Sequence, residues 1–160
     1  MEVEIAGIFL TSERNNPVVL LKDPKAERFL PIWIGLFEAN AISSKIDGID
    51  YPRPLTHDLM RTIINGLKAR VVKIVIDELK DTTYYAKIII EKDDELVRID
   101  ARPSDSIALA VRTDCPIYVS EEVMSSGIKL SLKSKGKTLE SELSKRLQKM
   151  DPNDFGKFRL

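Results

Sequence analysis

Three short stretches of the sequence place charged and hydroxyl side chains directly before apolar helical patterns. The clearest is DARPSDSIALAVR at residues 100–112, which opens with charge, proline and hydroxyls and then becomes almost purely apolar. RPLTHDLM at residues 53–60 repeats the Arg-Pro opening, and Gly35 precedes a helical pattern that carries Glu38 in its first turn. Proline suits the first turn of a helix and disfavours a helical residue before it, so each Arg-Pro pair predicts a helix start.

These residue types could carry out metal-assisted hydrolysis of phosphodiester bonds. Glu38, Asp58 and Asp105 would act as ligands of a divalent cation, Mg²⁺ or Mn²⁺, or as a general base. Mg²⁺ needs only one or two protein carboxylates when water and phosphate oxygens complete its shell. His57 is the only histidine and would be a further ligand or the proton donor to the leaving oxygen. The predicted catalytic residues are therefore these three acids and His57.

Two arginines and a serine are the predicted substrate-binding residues. Arg53 and Arg102 could each grip a phosphate with two parallel hydrogen bonds, and Ser104 lies two residues after Arg102. Strand alternation would place Arg98, Asp100 and Arg102 on one side, with Asp100 between the arginines. That arrangement predicts either a charge ladder on a solvated face or a carboxylate held ionised beside a phosphate site.

The same polar residues also have a purely structural interpretation. Thr56 and Ser104 are good N-cap candidates, because their hydroxyls can accept hydrogen bonds from free backbone N–H groups. Asp58, Asp105 and Glu38 lie where the helix dipole favours negative charge. Residues 107–111 leave almost no polar face, which predicts a buried helix whose first N–H groups need partners from Ser104 and Asp105. This interpretation leaves the arginines unexplained.

The pattern of apolar residues predicts an α+β fold with a mixed, largely antiparallel sheet and helices packed between and against runs of strands. Strands are predicted at 2–11, 18–22, 29–34, 71–79, 84–91, 95–101 and 117–119. Helical spacing follows Gly35, and a second helix from Thr56 carries Leu59, Ile63 and Leu67 as one apolar stripe. Residues 121–126 predict one or two helical turns.

Length, net charge and composition limit the classes to which this protein can belong. The chain has 160 residues, enough for one domain with a core, and its formal net charge is zero. A dedicated nucleic-acid binder usually has a basic excess, so RNA or DNA would have to bind a local patch. The charged fraction of 31% suits a thermophile's ion-pair-rich surface. The lone Cys115 excludes an intrachain disulfide, and the absence of a signal peptide or apolar span predicts a cytoplasmic protein without membrane contact.

Composition divides the chain into a domain at 1–132 and a charged tail at 133–160. The tail is rich in lysine and has no large apolar cluster. Leu139, Leu143, Leu147 and Met150 recur at i, i+4 spacing, which predicts an amphipathic helix over about 138–150. Such a helix could pack on the domain, bind a partner or fray.

Three ordered segments resemble the bifunctional nuclease domain family: LPIWIGLFEANAI at 30–42, RPLTHDLM at 53–60 and DARPSDSIALAVR at 100–112. CPIYVSEEV at 115–123 continues the resemblance, which covers about residues 1–130. The resemblance implies a compact α+β domain of bacteria and plants, some of whose members act on both RNA and DNA. It implies no assigned set of catalytic residues.

A non-enzymatic alternative is an assembly module that forms homodimers or higher homo-oligomers. The stretches 74–76 and 88–90 are apolar on both faces, so one face could be core and the other a subunit interface. Ile89 is the predicted interface residue, and on this hypothesis the helix starts only cap and pair. A third hypothesis, an anion site at the start of the buried helix, is opposed by Asp105, which already occupies the positive helix end.

Overall fold

The computed structural model describes residues 1–10 and 16–129, which form eight strands and four helices in an α+β arrangement. In chain order these are β1 (Glu2–Leu10), β2 (Pro17–Lys22), β3 (Arg28–Trp33), α1 (Leu36–Ile46), α2 (Thr56–Gly66), β4 (Arg70–Lys80), β5 (Thr83–Lys92), β6 (Glu95–Ala101), α3 (Pro103–Thr113), β7 (Ile117–Val119), α4 (Glu121–Ser125) and β8 (Ile128–Lys129). The helix predicted at 138–150 and the tail at 133–160 lie outside the described residues.

The strands pair in the order β6-β5-β4-β7-β1-β2-β3-β8. Over the residues described, β4 and β7 run parallel and the other neighbours run antiparallel, so the predicted mixed, largely antiparallel sheet is confirmed. β1 joins the two halves of the sheet, because Glu2 and Val3 pair with β7 while Glu4–Leu10 pair with β2. A register shift between Ile5 and Gly7 interrupts the β1–β2 pairing.

Helix α3 lies at the centre of the helical layer. It packs on β4 and β5 and is flanked by α1 and α2, so the helix predicted to be apolar all round is the buried one. Ile107, Ala108, Leu109 and Ala110 are all buried in the main core. A smaller apolar cluster, Val18, Leu20, Phe29, Trp33 and Ile128, completes the β2–β3–β8 end.

Helix α2 presents two different apolar faces. Met60 and Ile64 pack against the core, whereas the apolar stripe Leu59, Ile63 and Leu67 is more than half exposed. The stripe expected from the sequence is therefore present but points away from the core.

The interface predicted at Ile89 is wrong for this fold. Ile89 lies in β5 and is only 5% exposed within a single copy of the chain. Its neighbours Ile88 and Ile90 are also buried. A side chain already buried in the monomer has no area left to bury against a second copy.

Candidate functional site

The N-terminal ends of three helices meet around the guanidinium group of Arg102. This residue directly precedes α3, and its Nε and Nη2 donate to Asp105 Oδ2 and Oδ1 at 2.6 and 3.0 Å. Its Nη1 donates to Glu38 Oε1 in the first turn of α1, at 3.1 Å. Asp105 Oδ1 in turn lies 3.2 Å from His57 Nε2 in the first turn of α2. We call Glu38, His57, Arg102 and Asp105 the helix-start cluster.

Asp105 is the link between the arginine and the histidine. The hydrogen bond with His57, followed by those from Arg102, outweighs the effect of burial and lowers the pKa of Asp105 to about 2. The carboxylate is therefore ionised at neutral pH and can hold the imidazole in a fixed orientation. His57 is 8% exposed, and its Nδ1 makes no hydrogen bond within the described ranges. Because an ionised carboxylate can only accept, Nε2–H is the donor to Asp105, and Nδ1 is the ring nitrogen left for a further contact.

Gly35 makes room for the Glu38 carboxylate. A Cβ atom added at Gly35 would overlap Glu38 Oε2, so the carboxylate lies against the backbone at the start of α1. The backbone φ of Gly35 is −76°, which any residue can adopt. Glycine is therefore needed here for space and not for backbone conformation, and that space lets Glu38 turn back toward Arg102.

The charge of the helix-start cluster favours a cation more than an anion. Two carboxylates face one guanidinium, so the cluster carries a net charge of about −1 when His57 is neutral. The Arg102 side chain is 50% exposed and could turn toward a ligand. Among the residues described, no three His, Cys, Asp or Glu side chains form a metal-binding group. The donor set fits a divalent cation only through Glu38 and Asp105, with water and phosphate oxygens as the other ligands.

Asp58 does not join the helix-start cluster. Its Oδ1 accepts from Arg112 Nε at 2.7 Å, and its Oδ2 accepts from the Leu55 N–H at 3.0 Å. Burial raises the pKa of Asp58, but the bonds from Arg112 and Leu55 outweigh it, so the pKa is lowered overall. The structure therefore separates Asp58 from Glu38 and Asp105, the other two predicted metal ligands.

Arg112 is a buried, ion-paired residue that the sequence analysis did not identify. Its side chain is 2% exposed, and its Nη1 donates to the carbonyls of Ala41 and Ala108 at 2.9 Å each. A signal was present, because an arginine within a helix that is apolar all round must be buried and must have an acidic partner. The sequence could not name that partner, which lies 54 positions away.

Two predicted caps are wrong, for a common reason. Helix α2 begins at Thr56 itself, so Leu55 is the residue before the helix and Asp58 supplies the capping carboxylate for its N–H. In α3 no side-chain cap is made: Asp105 binds Arg102 and His57 instead of backbone N–H groups. The Ser104 hydroxyl is buried and makes no hydrogen bond in the described part of the chain. Both helices begin earlier than the predicted caps require, α2 by one residue and α3 by two, so Thr56 and Ser104 lie inside the helices.

The remaining predicted arginine positions also differ from expectation. Arg102 lies beyond the end of β6, so strand alternation no longer applies, and its guanidinium binds Asp105 and Glu38. Asp100 pairs in register with Lys87 of β5. Arg53 is exposed and lines a pocket with Asp58, Arg61 and Arg112, so it does not join Arg102 at one phosphate position.

Two pockets adjoin along α2. One of about 250 Å³ lies between the end of α1, the 49–54 segment and α2, and one of about 380 Å³ lies between α2, the start of β4 and the end of α3. Both are lined by Arg61, Thr62 and Arg112. None of the four side chains of the helix-start cluster lines either pocket, but the first turn of α2 contributes His57 to the cluster and Asp58 to the smaller pocket.

Comparison with known proteins points to one family. The bifunctional nuclease domain matches residues 19–130. An uncharacterised protein of Mycobacterium tuberculosis is 43% identical over 123 residues, covering 77% of this chain and 73% of that protein. Bifunctional nuclease 1 of Oryza sativa subsp. indica is 24% identical over 115 residues, which cover 70% of this chain and 35% of the rice protein. Bifunctional nuclease 1 of Arabidopsis thaliana is 24% identical over 110 residues, covering 66% of this chain and 34% of the plant protein.

The chain therefore spans about a third of the plant relatives. No helix within the described ranges is long and apolar enough to cross a membrane. All four residues of the helix-start cluster, and both residues of the Asp58–Arg112 pair, lie inside the matched range. Since that match covers well over half of its length, the chain belongs to the bifunctional nuclease domain family.

Proposed function

We propose that this protein is a nuclease that hydrolyses phosphodiester bonds of RNA and DNA at the helix-start cluster. The observation that carries the proposal is the continuous set of hydrogen bonds from Glu38 through Arg102 and Asp105 to His57. It joins an acid, an arginine and a histidine from three helix starts, as acid–base chemistry on a phosphate requires. The family and the plant relatives called bifunctional nucleases support the same activity.

Each residue has a distinct part in the proposed reaction. Arg102, half exposed, turns toward the scissile phosphate and neutralises its charge. Glu38 accepts a proton from the attacking water as the water oxygen bonds to phosphorus. The opposite P–O ester bond breaks, and protonated His57 gives its Nδ1 proton to the leaving oxygen. Asp105 stays ionised and stabilises the imidazolium form of His57.

A divalent cation, Mg²⁺ or Mn²⁺, remains part of the proposal. Glu38 and Asp105 are the residues that would hold it, because together they give the cluster its negative charge. When bound, such an ion would polarise a phosphoryl oxygen and help to activate water. Asp58 is left out of this set, since it makes no contact with the cluster and bonds instead to Arg112 and the Leu55 N–H.

The test is a cleavage assay on labelled single-stranded RNA and DNA with Mg²⁺, Mn²⁺ or a chelator. Glu38→Gln, His57→Gln and Asp105→Asn remove the proposed proton-transfer and orienting groups, and each should lower the rate roughly 10²-fold or more. Asp100→Asn, an exposed carboxylate on β6, is the matched control and should cleave like the wild type. Wild-type protein that cleaves neither substrate, or equal cleavage by all variants after identical purification, would refute the proposal.

A second candidate function, assembly of a homodimer, is favoured by the exposed stripe Leu59, Ile63 and Leu67 on α2. Contiguous exposed apolar surface is uncommon on monomeric proteins. A stripe at i, i+4 and i+8 spacing on one helix can pack against the same stripe of a second copy around a two-fold axis. This surface replaces Ile89, which is buried, as the proposed interface.

A further inference from the structure

The two adjoining pockets along α2 form a continuous basic groove. They share Arg61, Thr62 and Arg112, so we treat them as one surface and call it the α2 groove. Its lining contains five cationic side chains and two carboxylates: Lys45, Arg53, Arg61, Arg70 and Arg112, with Asp50 and Asp58. In a chain whose formal net charge is zero, this is a local excess of positive charge.

Part of that charge is available to a ligand. Arg112 is neutralised by Asp58, and Arg70 pairs with Glu91. Lys45 and Arg53 are exposed and make no ion pair with any residue that the structure describes. Arg61 uses Nη1 to bind the Arg112 carbonyl at 3.1 Å, which holds its guanidinium at the junction of the two pockets. The groove thus presents cations at both its outer rim and its centre.

An exposed aromatic ring lies on the same surface. Tyr51 is 42% exposed and lines the smaller pocket two residues before Arg53. Aromatic rings that flank a positively charged groove are typical of sites that bind single-stranded nucleic acids, where bases stack on the rings and cations follow the phosphates. Ser44, on the wall of the same pocket, has a buried hydroxyl without a hydrogen-bond partner among the described residues.

We propose that the α2 groove binds single-stranded nucleic acid, with a base stacked on Tyr51 and phosphates on Lys45, Arg53 and Arg61. This inference rests on the proposed nuclease function and gives it a substrate track, because α2 contributes His57 to the cluster and Asp58 to the groove. The groove would supply the affinity that the net negative helix-start cluster does not. A strand held there passes from Tyr51 along the first turns of α2.

The test measures binding separately from cleavage. Fluorescence anisotropy of a labelled 12-nucleotide oligo(U) or oligo(dT) is recorded with the protein in the presence of chelator. Several salt concentrations are used, so that both the affinity and its salt dependence are obtained. Arg53→Glu and Lys45→Glu should each weaken binding at least tenfold, and neutralising Arg53→Gln should reduce the salt slope by about 0.7. Tyr51→Ala should weaken binding at least fivefold, while Tyr51→Phe keeps the ring and should bind like the wild type.

Lys80→Glu is the matched control, because Lys80 is exposed at the end of β4 and lines neither pocket. Unchanged binding in both Arg53→Glu and Tyr51→Ala, or an equal loss of affinity in Lys80→Glu, would refute the proposal that the α2 groove binds nucleic acid. Binding that depends on the groove residues in a protein that never cleaves would support the groove and refute the nuclease function. If cleavage is lost in Asp105→Asn but binding is unchanged in the groove variants, the nuclease function would be supported and the α2 groove refuted as the binding site.

Discussion

Removal of the Asp58 carboxylate tests whether the buried Arg112 depends on it. The Arg112 side chain is 2% exposed and has one carboxylate partner among the described residues, at 2.7 Å, so Asp58→Ala leaves a buried guanidinium without that counter-charge. Breaking a buried ion pair in this way costs about 3–5 kcal/mol. The carbonyls of Ala41 and Ala108 still accept hydrogen bonds from Arg112, so we expect the lower end, about 3 kcal/mol.

The reverse change should cost less. Arg112→Met keeps most of the side-chain volume and removes the charge, while the Asp58 side chain, 29% exposed, can be hydrated in its place. We expect a loss of about 1–2 kcal/mol for this variant. The double variant should cost about 1 kcal/mol more than Arg112→Met alone, because Asp58 no longer has a charge to neutralise but its hydrogen bond from the Leu55 N–H at the start of α2 is still lost. The coupling between the two positions is then about 2 kcal/mol, within the range for residues in direct contact.

The measurement is urea and thermal unfolding of wild type, both single variants and the double variant. For a chain of this length, about 3 kcal/mol lowers Tm by roughly 6–12 °C. Asp50→Ala is the control, because Asp50 is an exposed acid on the same pocket and should change Tm little. Because the pKa of Asp58 is lowered on folding, its contribution is present above pH 4 and declines as pH falls through the folded-state pKa. A loss below about 1 kcal/mol, or additive losses, would refute the reasoning.

Two further predictions concern Gly35 at the start of α1 and the exposed apolar stripe of α2. Gly35→Ala should change Tm by no more than a few degrees, since the backbone φ of Gly35 suits alanine. The variant should lower the cleavage rate as far as Glu38→Gln does, because the new Cβ displaces the Glu38 carboxylate from Arg102. Cleavage at the wild-type rate would show that the Glu38–Arg102 contact is unimportant. Light scattering should give the mass of a dimer, about twice 18.1 kDa. Ile63→Asp should convert the dimer to a monomer, whereas the control Leu96→Asp, at another exposed apolar position, should not. A monomeric wild type would exclude the α2 interface.

Local sequence patterns were sufficient for the fold class and for the elements other than the two-residue strand β8, which was not predicted. The strand patterns at 71–79, 84–91 and 95–101 correspond to β4, β5 and β6, because alternation and β-branched residues act over a few neighbouring positions. The apolar run in 107–111 likewise predicted the burial of α3. The stripe Leu59, Ile63 and Leu67 was also predicted, but its exposure was not. Periodicity shows that a helix has an apolar face, but not whether the fold covers that face.

Residue types and spacing were enough to predict polar residues at three helix starts and to identify Glu38, His57, Arg102 and Asp105 as suited to acid–base and phosphate chemistry. The folded structure was needed to show that these four meet, that Asp58 pairs with Arg112, and that Arg53 lines a separate groove. The difference lies in how far along the chain each interaction acts. Helix starts and strand patterns depend on neighbours within a few residues, whereas the Glu38–Arg102 and Asp58–Arg112 bonds join positions 64 and 54 residues apart, which only the packing of α1 and α2 against α3 brings within hydrogen-bond distance.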